Sequence, residues 1–274
     1  MSLTTPTKVQ KLRTTLHAKA KESPGRRFHA LYDKVYRMDV LTEAYQSCKA
    51  NYGARGVDGQ TFRDIEKREG GVGQWLGKLS AQFRDKTYRP QAVRRVHIPK
   101  KGGGQRPLGI PTIKDRVAQT AAMIVLEPIF EADLQPEQHA YRPGRGAPDA
   151  VNRVHALVST GHREVVDADL KGYFDTIPHP ELMASVARRV SDGSMLHLIK
   201  MWLKTPVQEA DERGRKRLSS RNNDERKGTP QGAPISPLLS NISMRRFVLG
   251  GGAGSNWATR PGCKRGLSTT PTTS

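Results

Sequence analysis

Two carboxylates two positions apart, Asp167 and Asp169, stand in the stretch REVVDADLKGYFDTIPH (163–179). They alternate with Ala168 and Leu170, and that alternation puts both acids on one face of a strand. Acids at the end of an apolar strand are costly unless they bind a cation or stay solvated. A hard cation such as Mg²⁺ takes carboxylate oxygens together with substrate phosphates. On these residues alone the stretch is open between a metal-binding strand of a phosphoryl-transfer site and a strand end carrying solvated acids. Phe174 falls in the turn that follows. Its ring either walls off one edge of a sugar or packs in the core.

Two further groups of residues suit the same chemistry. Lys100 and Arg106 flank the glycine-rich turn of VRRVHIPKKGGGQRPLGIP (93–111). Lysine offers a point charge and arginine a planar fork, both fitted to a triphosphate; surface charge on a basic hairpin is the alternative. The three glycines read as a flexible turn, and no phosphate-binding G-x-x-x-x-G-K-[ST] motif occurs. In GTPQGAPISPLLSNI (228–242) the glycines allow a backbone to approach a ligand closely. Pro234 and Pro237 fit the start of a helix, and Ser236 is a candidate N-cap. Gln231, in the tight Pro-Gln-Gly turn, is placed either to touch a base or sugar or as an incidental part of a capping loop.

The elements that must hold these residues are legible from periodicity. Residues 1–25 read as a basic, mobile lead. Leu31, Val35, Met38, Leu41 and Tyr45 recur at helical spacing, and Trp75, Leu76, Leu79 and Phe83 mark a second amphipathic helix over 72–85. NYGARGVDG (51–59) breaks the pattern as a turn. VRRVHI and RPLGI form a β-hairpin; 115–134, 194–204 and a segment from Pro180 read as helices. The charged segment 207–227 is a solvated hairpin or loop. Leu238, Leu239, Ile242 and Phe247 line the apolar side of a further helix.

The chain has 274 residues, with Lys+Arg 46 against Asp+Glu 26, a formal charge of +20. Such a balance fits a polyanionic partner, because each neutralised phosphate releases counterions. Charge alone does not separate RNA from DNA or from an acidic membrane surface. Cys48 and Cys263 are far apart, no CxxC occurs and the eight histidines show no ligand spacing. These facts argue against a zinc site or disulfide scaffold and fit a reducing compartment. No apolar run reaches membrane-spanning length, and the first residues lack the apolar core of a signal peptide. The expected location is the bacterial cytoplasm, with an organelle open because the N-terminus is basic and rich in Ser and Thr.

Five motifs, NYGARGVDG, IPKKGGGQRPLGIPTIKDRVAQ, AYRPGRGAPDAV, VVDADLKGYFDTI and RKGTPQGAPISPLLSNI, occur in the order and spacing of one family. Over residues 26–249 the chain resembles the reverse transcriptases encoded by group II introns. The resemblance implies an α+β right-hand polymerase fold that copies RNA into DNA and, as a maturase, assists splicing of its intron. The implied organisation is a basic flexible lead (1–25), an N-terminal extension (26–70), fingers (71–165), an incomplete palm (166–249) and an unrelated, disordered tail (250–274), with no thumb. Asp169 corresponds to the first catalytic, metal-binding aspartate, and Leu170 to a residue whose backbone carbonyl binds metal. Phe174 matches the gate against the ribose 2′-hydroxyl. Lys100 and Arg106 match the triphosphate ligands, and Gln231 a nucleotide contact. RPGR (142–145) and the 51–59 loop are matched to contacts with template or intron RNA. The implied cofactor is Mg²⁺ in a two-ion site; the implied partners are RNA template or intron RNA, a DNA primer and dNTPs.

The family's Tyr-Ala-Asp-Asp motif, expected some tens of residues after GTPQG, does not occur, and neither Asp nor Glu follows Glu225. The two-ion site is therefore expected to be incomplete and the chain inactive as a polymerase; the alternative function is a non-catalytic RNA-binding remnant, and a third is a product that folds poorly. Codons for Arg-Ile-Val-Asn-Tyr-Ala-Asp-Asp-Leu can be chosen that, read one nucleotide late, give GLSTTPTTS, the residues 266–274. A frameshift near Gly250 is the corresponding expectation. It leaves the apolar side of the helix at 238–248 without partners and prone to aggregate.

Overall fold

Helix periodicity and turn chemistry divide the chain into eleven helices and four strands among the described residues of a computed structural model, which are 5–99, 103–162, 170, 172–210, 215–220 and 224–252. The centre is α6 (Ile113–Glu131), opened by Thr112, whose hydroxyl accepts from the Asp115 N–H. Its mixture of large and small side chains is buried nearly all round. Ala118, Ala121 and Ala122 are fully enclosed, and such small residues let neighbouring helices approach. Against it pack α3 (Met38–Ala50), α2 (Tyr32–Val35) and α1 (Lys8–Glu22). The helical spacing read from Leu31 to Tyr45 is thus split between two helices.

The mobile lead expected at the N-terminus is instead helix α1, sealed by a capping box between Thr7 and Gln10. Val9, Leu16 and Ala20 are its buried residues, a stripe too narrow to stand out among so many lysines. Arg13 donates to Glu127 of α6 at 2.6 Å. Arg189 closes the other end, donating to the carbonyls of Ala20 (2.6 Å), Ser23 (2.9 Å), Pro24 and Arg26 (3.2 Å). One guanidinium thereby satisfies carbonyls that a helix end leaves without partners.

The hairpin forms as its pattern predicts. β1 (Val93–Pro99) pairs antiparallel with β2 (Gln105–Ile110), with Ile98 opposite Arg106. The charged 207–227 segment contributes β3 (Val207–Ala210), parallel to β1, and β4 (Lys216–Ser219), so the sheet order is β2-β1-β3-β4. α4 (Phe62–Glu66) and α5 (Gly71–Arg84) flank α3. A buried chain of polar groups ties this half to the helix that carries Trp202: Trp202 Nε1 donates to the Tyr88 hydroxyl (3.1 Å), which donates to Asp115 (2.7 Å).

The other half holds α7 (Ala147–Ser159), α8 (Tyr173–Thr176), α9 (His179–Ala187), α10 (Gly193–Leu203) and α11 (Ser236–Gly252). Two expectations about α11 fail. Ser236 is its first helical residue rather than an N-cap; its hydroxyl donates back to the Pro230 carbonyl at 2.9 Å. The described part of its apolar side is not left open, since Leu238, Leu239 and Ile242 are buried where α11 meets α9 and α6; the Phe247 side chain lies outside the described residues. The open apolar face belongs to α7, whose Val151, Val154 and Val158 are all exposed. The expected strand around Asp167 and Asp169, and the tail beyond Gly252, lie outside the described residues.

Candidate functional site

The GTPQG loop is fastened on two sides by its own backbone. Thr229 N–H donates to the Phe174 carbonyl (2.7 Å) and Gly228 N–H to the Ile177 carbonyl (2.8 Å). On the far side the Gly109 N–H of β2 donates to the Gln231 carbonyl at 2.6 Å. The two glycines are required by both angle and space. Gly228 has φ +89 and would put a Cβ 3.1 Å from the Asp175 carbonyl oxygen; Gly232 has φ +101 and would put one 2.7 Å from the Gly109 oxygen. Side chains do not fit there, so the loop joins the Phe174 turn to the hairpin at backbone distance.

His179 supports the loop from beneath, its Nε2 lying 2.8 Å from the Gly228 carbonyl. Burial pushes the imidazole below its ordinary pKa, partly opposed by that bond. The neutral ring therefore carries its proton on Nε2 and donates it to the loop.

This stitching gathers residues that are far apart in sequence. Arg106, Phe174 and Gln231 line one open cleft of about 900 Å³ together with Ile98, Leu108 and Tyr141. Arg106 Nε donates to Gln231 Oε1 at 3.1 Å, and Gln231 Nε2 donates to Asp175 Oδ2 at 3.2 Å. Phe174 is half-buried and meets the Tyr141 ring edge-on, centroids 6.0 Å apart and planes at 79°. Tyr173 holds the turn to α11 through its hydroxyl, which donates to the Ser240 carbonyl at 3.0 Å. The far wall is made by α3 and α6, including Cys48, Thr120 and Met123, with the Arg13–Glu127 pair at its edge. The cleft thus offers a guanidinium and an amide on one wall and two aromatic rings beside them. That set can take a phosphate and a flat or sugar-like group at once.

The remaining nominated residues fall differently. Leu170 is exposed and lines a neighbouring cavity of about 370 Å³ with His139, Tyr173 and Asn241. Asp169 and Lys100 lie outside the described residues. Among the described residues no group of three or more His, Cys, Asp or Glu could hold a metal ion, and no helix is long and apolar enough to cross a membrane.

RPGR does not present its arginines as a free cationic patch. Arg142 is buried, paired with Glu131 at 2.6 Å and donating to the carbonyls of Gln135 (2.6 Å) and Gln138 (2.7 Å). Arg145 is bonded to the Pro136 carbonyl. The 51–59 loop folds back on the start of α6: Arg116 donates to the Ala54 carbonyl (2.9 Å), and a Cβ on Gly56 would lie 2.6 Å from the Thr112 Cα. Tyr52 stays exposed at its tip. Sequence reasoning missed Tyr141 and Asp175. Each was legible only as the neighbour of a chosen motif residue, one beside Arg142 and the other after Phe174.

Residues 98–249 match the family model described as reverse transcriptase (RNA-dependent DNA polymerase). Protein YkfC of Escherichia coli K12 is 34% identical over 245 residues, 87% of this chain and 61% of that protein. The group II intron-encoded protein LtrA of Lactococcus lactis subsp. cremoris is 34% identical over 228 residues, 81% of this chain and 35% of LtrA. A putative COX1/OXI3 intron 1 protein of Saccharomyces cerevisiae is 30% identical over 207 residues, 76% of this chain and 23% of that protein. This chain thus spans between about a quarter and three fifths of the length of these relatives.

Proposed function

We propose that this chain, which belongs to the reverse transcriptase (RNA-dependent DNA polymerase) family and has group II intron-encoded proteins among its relatives, binds an RNA template with a DNA primer and seats a deoxynucleoside triphosphate beside the primer end. The observation that carries this reading is the meeting of Arg106, Phe174 and Gln231 in one cleft. In it, residues 71–165 act as fingers and 166–249 as part of the palm, with 26–70 as an N-terminal extension. Arg106 forks onto the triphosphate, with Lys100 as a second cation from the same hairpin turn. The Phe174 ring crowds the position a 2′-hydroxyl would take. Gln231 faces the nucleotide from the loop. The +20 charge supplies the attraction for the nucleic-acid backbone.

Asp169 and the Leu170 carbonyl would hold Mg²⁺, which neutralises phosphate charge when bound. They do not make up a two-ion donor set. No Asp or Glu follows Glu225 in these 274 residues to add the later carboxylates. That observation favours a second, narrower reading for the 274 residues taken by themselves: nucleic acid and nucleotide are bound but the primer is not extended.

The test is photocrosslinking of a dNTP analogue to the chain with primer–template bound. Adducts are expected on peptides containing Arg106, Phe174 or Gln231. Adducts confined to other surfaces would overturn the placement.

A further inference from the structure

Resting on the nucleotide reading above, we propose that Asp175 is a positioning residue that sets the Arg106 guanidinium through Gln231. The geometry is a three-member relay. Arg106 Nε donates to Gln231 Oε1 at 3.1 Å, and Gln231 Nε2 donates to Asp175 Oδ2 at 3.2 Å. A carboxylate only accepts and a guanidinium only donates, so an amide between them has one satisfactory orientation. Its NH₂ faces Asp175 and its oxygen faces Arg106.

Without the carboxylate the Arg106 bond alone holds that orientation, because the terminal torsion of glutamine is broad and roughly two-fold. A flipped amide would set NH₂ against guanidinium, donor against donor, and release the arginine. With the relay intact, Nε is spent on Gln231 and the two terminal nitrogens remain to face a phosphate as a fork. Asp175 is itself well seated. Its N–H donates to the Gly172 carbonyl at 2.9 Å. Its own carbonyl lies under Gly228, where a Cβ would come within 3.1 Å. The close approach of the two backbones holds the carboxylate beside the loop that carries Gln231.

A bare electrostatic role makes the opposite forecast. A carboxylate close to a triphosphate repels it, so removing the charge would tighten binding. The test reads dTTP affinity of the full chain with primer–template bound, by equilibrium titration at fixed salt. Asp175→Ala is expected to weaken binding roughly three- to tenfold, the scale of one lost solvent-exposed hydrogen bond. Asp175→Asn, which keeps an acceptor and is the variant least disturbing to the fold, is expected to stay within about twofold of the parent. In a Gln231→Ala background, Asp175→Ala is expected to add nothing, as coupled residues do in a double-mutant cycle.

If Arg106→Ala leaves dTTP affinity unchanged, the triphosphate site and the relay fall together. If Arg106→Ala weakens binding while Asp175→Ala leaves it unchanged or tighter, the relay alone is overturned. Additive losses in the Gln231→Ala background also overturn the relay alone.

Discussion

Gly232 and Gly77 show how differently one residue type is used. Gly232 sits at φ +101, with Gly109 O and Leu108 Cδ1 at 2.7 and 2.8 Å from where a Cβ would stand. Gly77 lies inside α5 at ordinary helical φ with nothing within 4 Å. Gly232→Ala is therefore expected to lose about 2–3 kcal/mol, from left-handed strain plus contact with a backbone oxygen that cannot move aside. Gly77→Ala is expected to gain about 1 kcal/mol by helix propensity. For a domain of this size these correspond to shifts of roughly −4 to −12 °C and +2 to +4 °C in Tm, read by thermal unfolding. Equal shifts of one sign would refute the assignment. The residue scale is also where the sequence was least complete. Phe174, Arg106 and Gln231 stand out as types at motif positions, and the structure brings those three together. Asp175 does not stand out, because its importance is a 3.2 Å contact with a residue 56 positions away. Arg142 misleads for the converse reason. An arginine beside Pro and Gly looks like a surface cation, yet its fork is spent on Glu131 and two carbonyls.

At the scale of elements, one carboxylate decides how two helices begin. Asp192 is the N-cap of α10, accepting from Ser194 N–H (3.0 Å) and Met195 N–H (3.1 Å). It also accepts from Leu31 and Tyr32 N–H, each at 2.8 Å, where α2 starts. Burial raises its pKa, but the four backbone donors outweigh that and hold it below the usual carboxylate value. The sign follows. An acid whose folded pKa is depressed stabilises above its unfolded pKa of about 3.9, and the gain is lost as pH falls through the folded value. Asp192→Ala is expected to lose about 2–4 kcal/mol at neutral pH. The deficit relative to the parent should shrink below about pH 4, in urea melts run at pH 7 and pH 3. A deficit constant across that range would count against the charged cap. Elements with a strong period, such as α6 and the β1–β2 hairpin, were legible in advance. α1 was not, because its burial rests on three residues, Val9, Leu16 and Ala20, and on an arginine 169 positions from the carbonyl it caps. Neither feature leaves a periodic trace.

For the whole molecule, charge and burial separate what holds the chain together from what it can do. Leu238, Leu239 and Ile242 of α11 are buried, so the aggregation expected there shifts, among the described residues, to α7, where Val151, Val154 and Val158 are 66%, 56% and 49% exposed. Replacing Val151 and Val154 together by Ser is expected to change stability by less than about 0.5 kcal/mol, since neither is buried. The same change should reduce light scattering at high protein concentration. A large loss of Tm would mean that the face is covered in solution.

On the proposed function, catalysis by these 274 residues would be limited by a different shortage. Transfer of a nucleotide to a primer end needs charge stabilisation on both the attacking and the leaving oxygen, which two ions provide together. The nominated ligands are Asp169 and the carbonyl of Leu170, and no carboxylate follows Glu225. The proposed binding needs none of these groups, because it would draw on the +20 charge and the Arg106, Phe174 and Gln231 wall. The 274-residue chain is therefore expected to bind primer–template with an affinity that falls steeply between about 50 and 200 mM salt. With Mg²⁺ and all four dNTPs it is expected to give no extended product. Extended primer from the 274 residues alone would show that the acids already present suffice. Loss of binding at the outset would show that the cleft, and not only the metal site, had been misread.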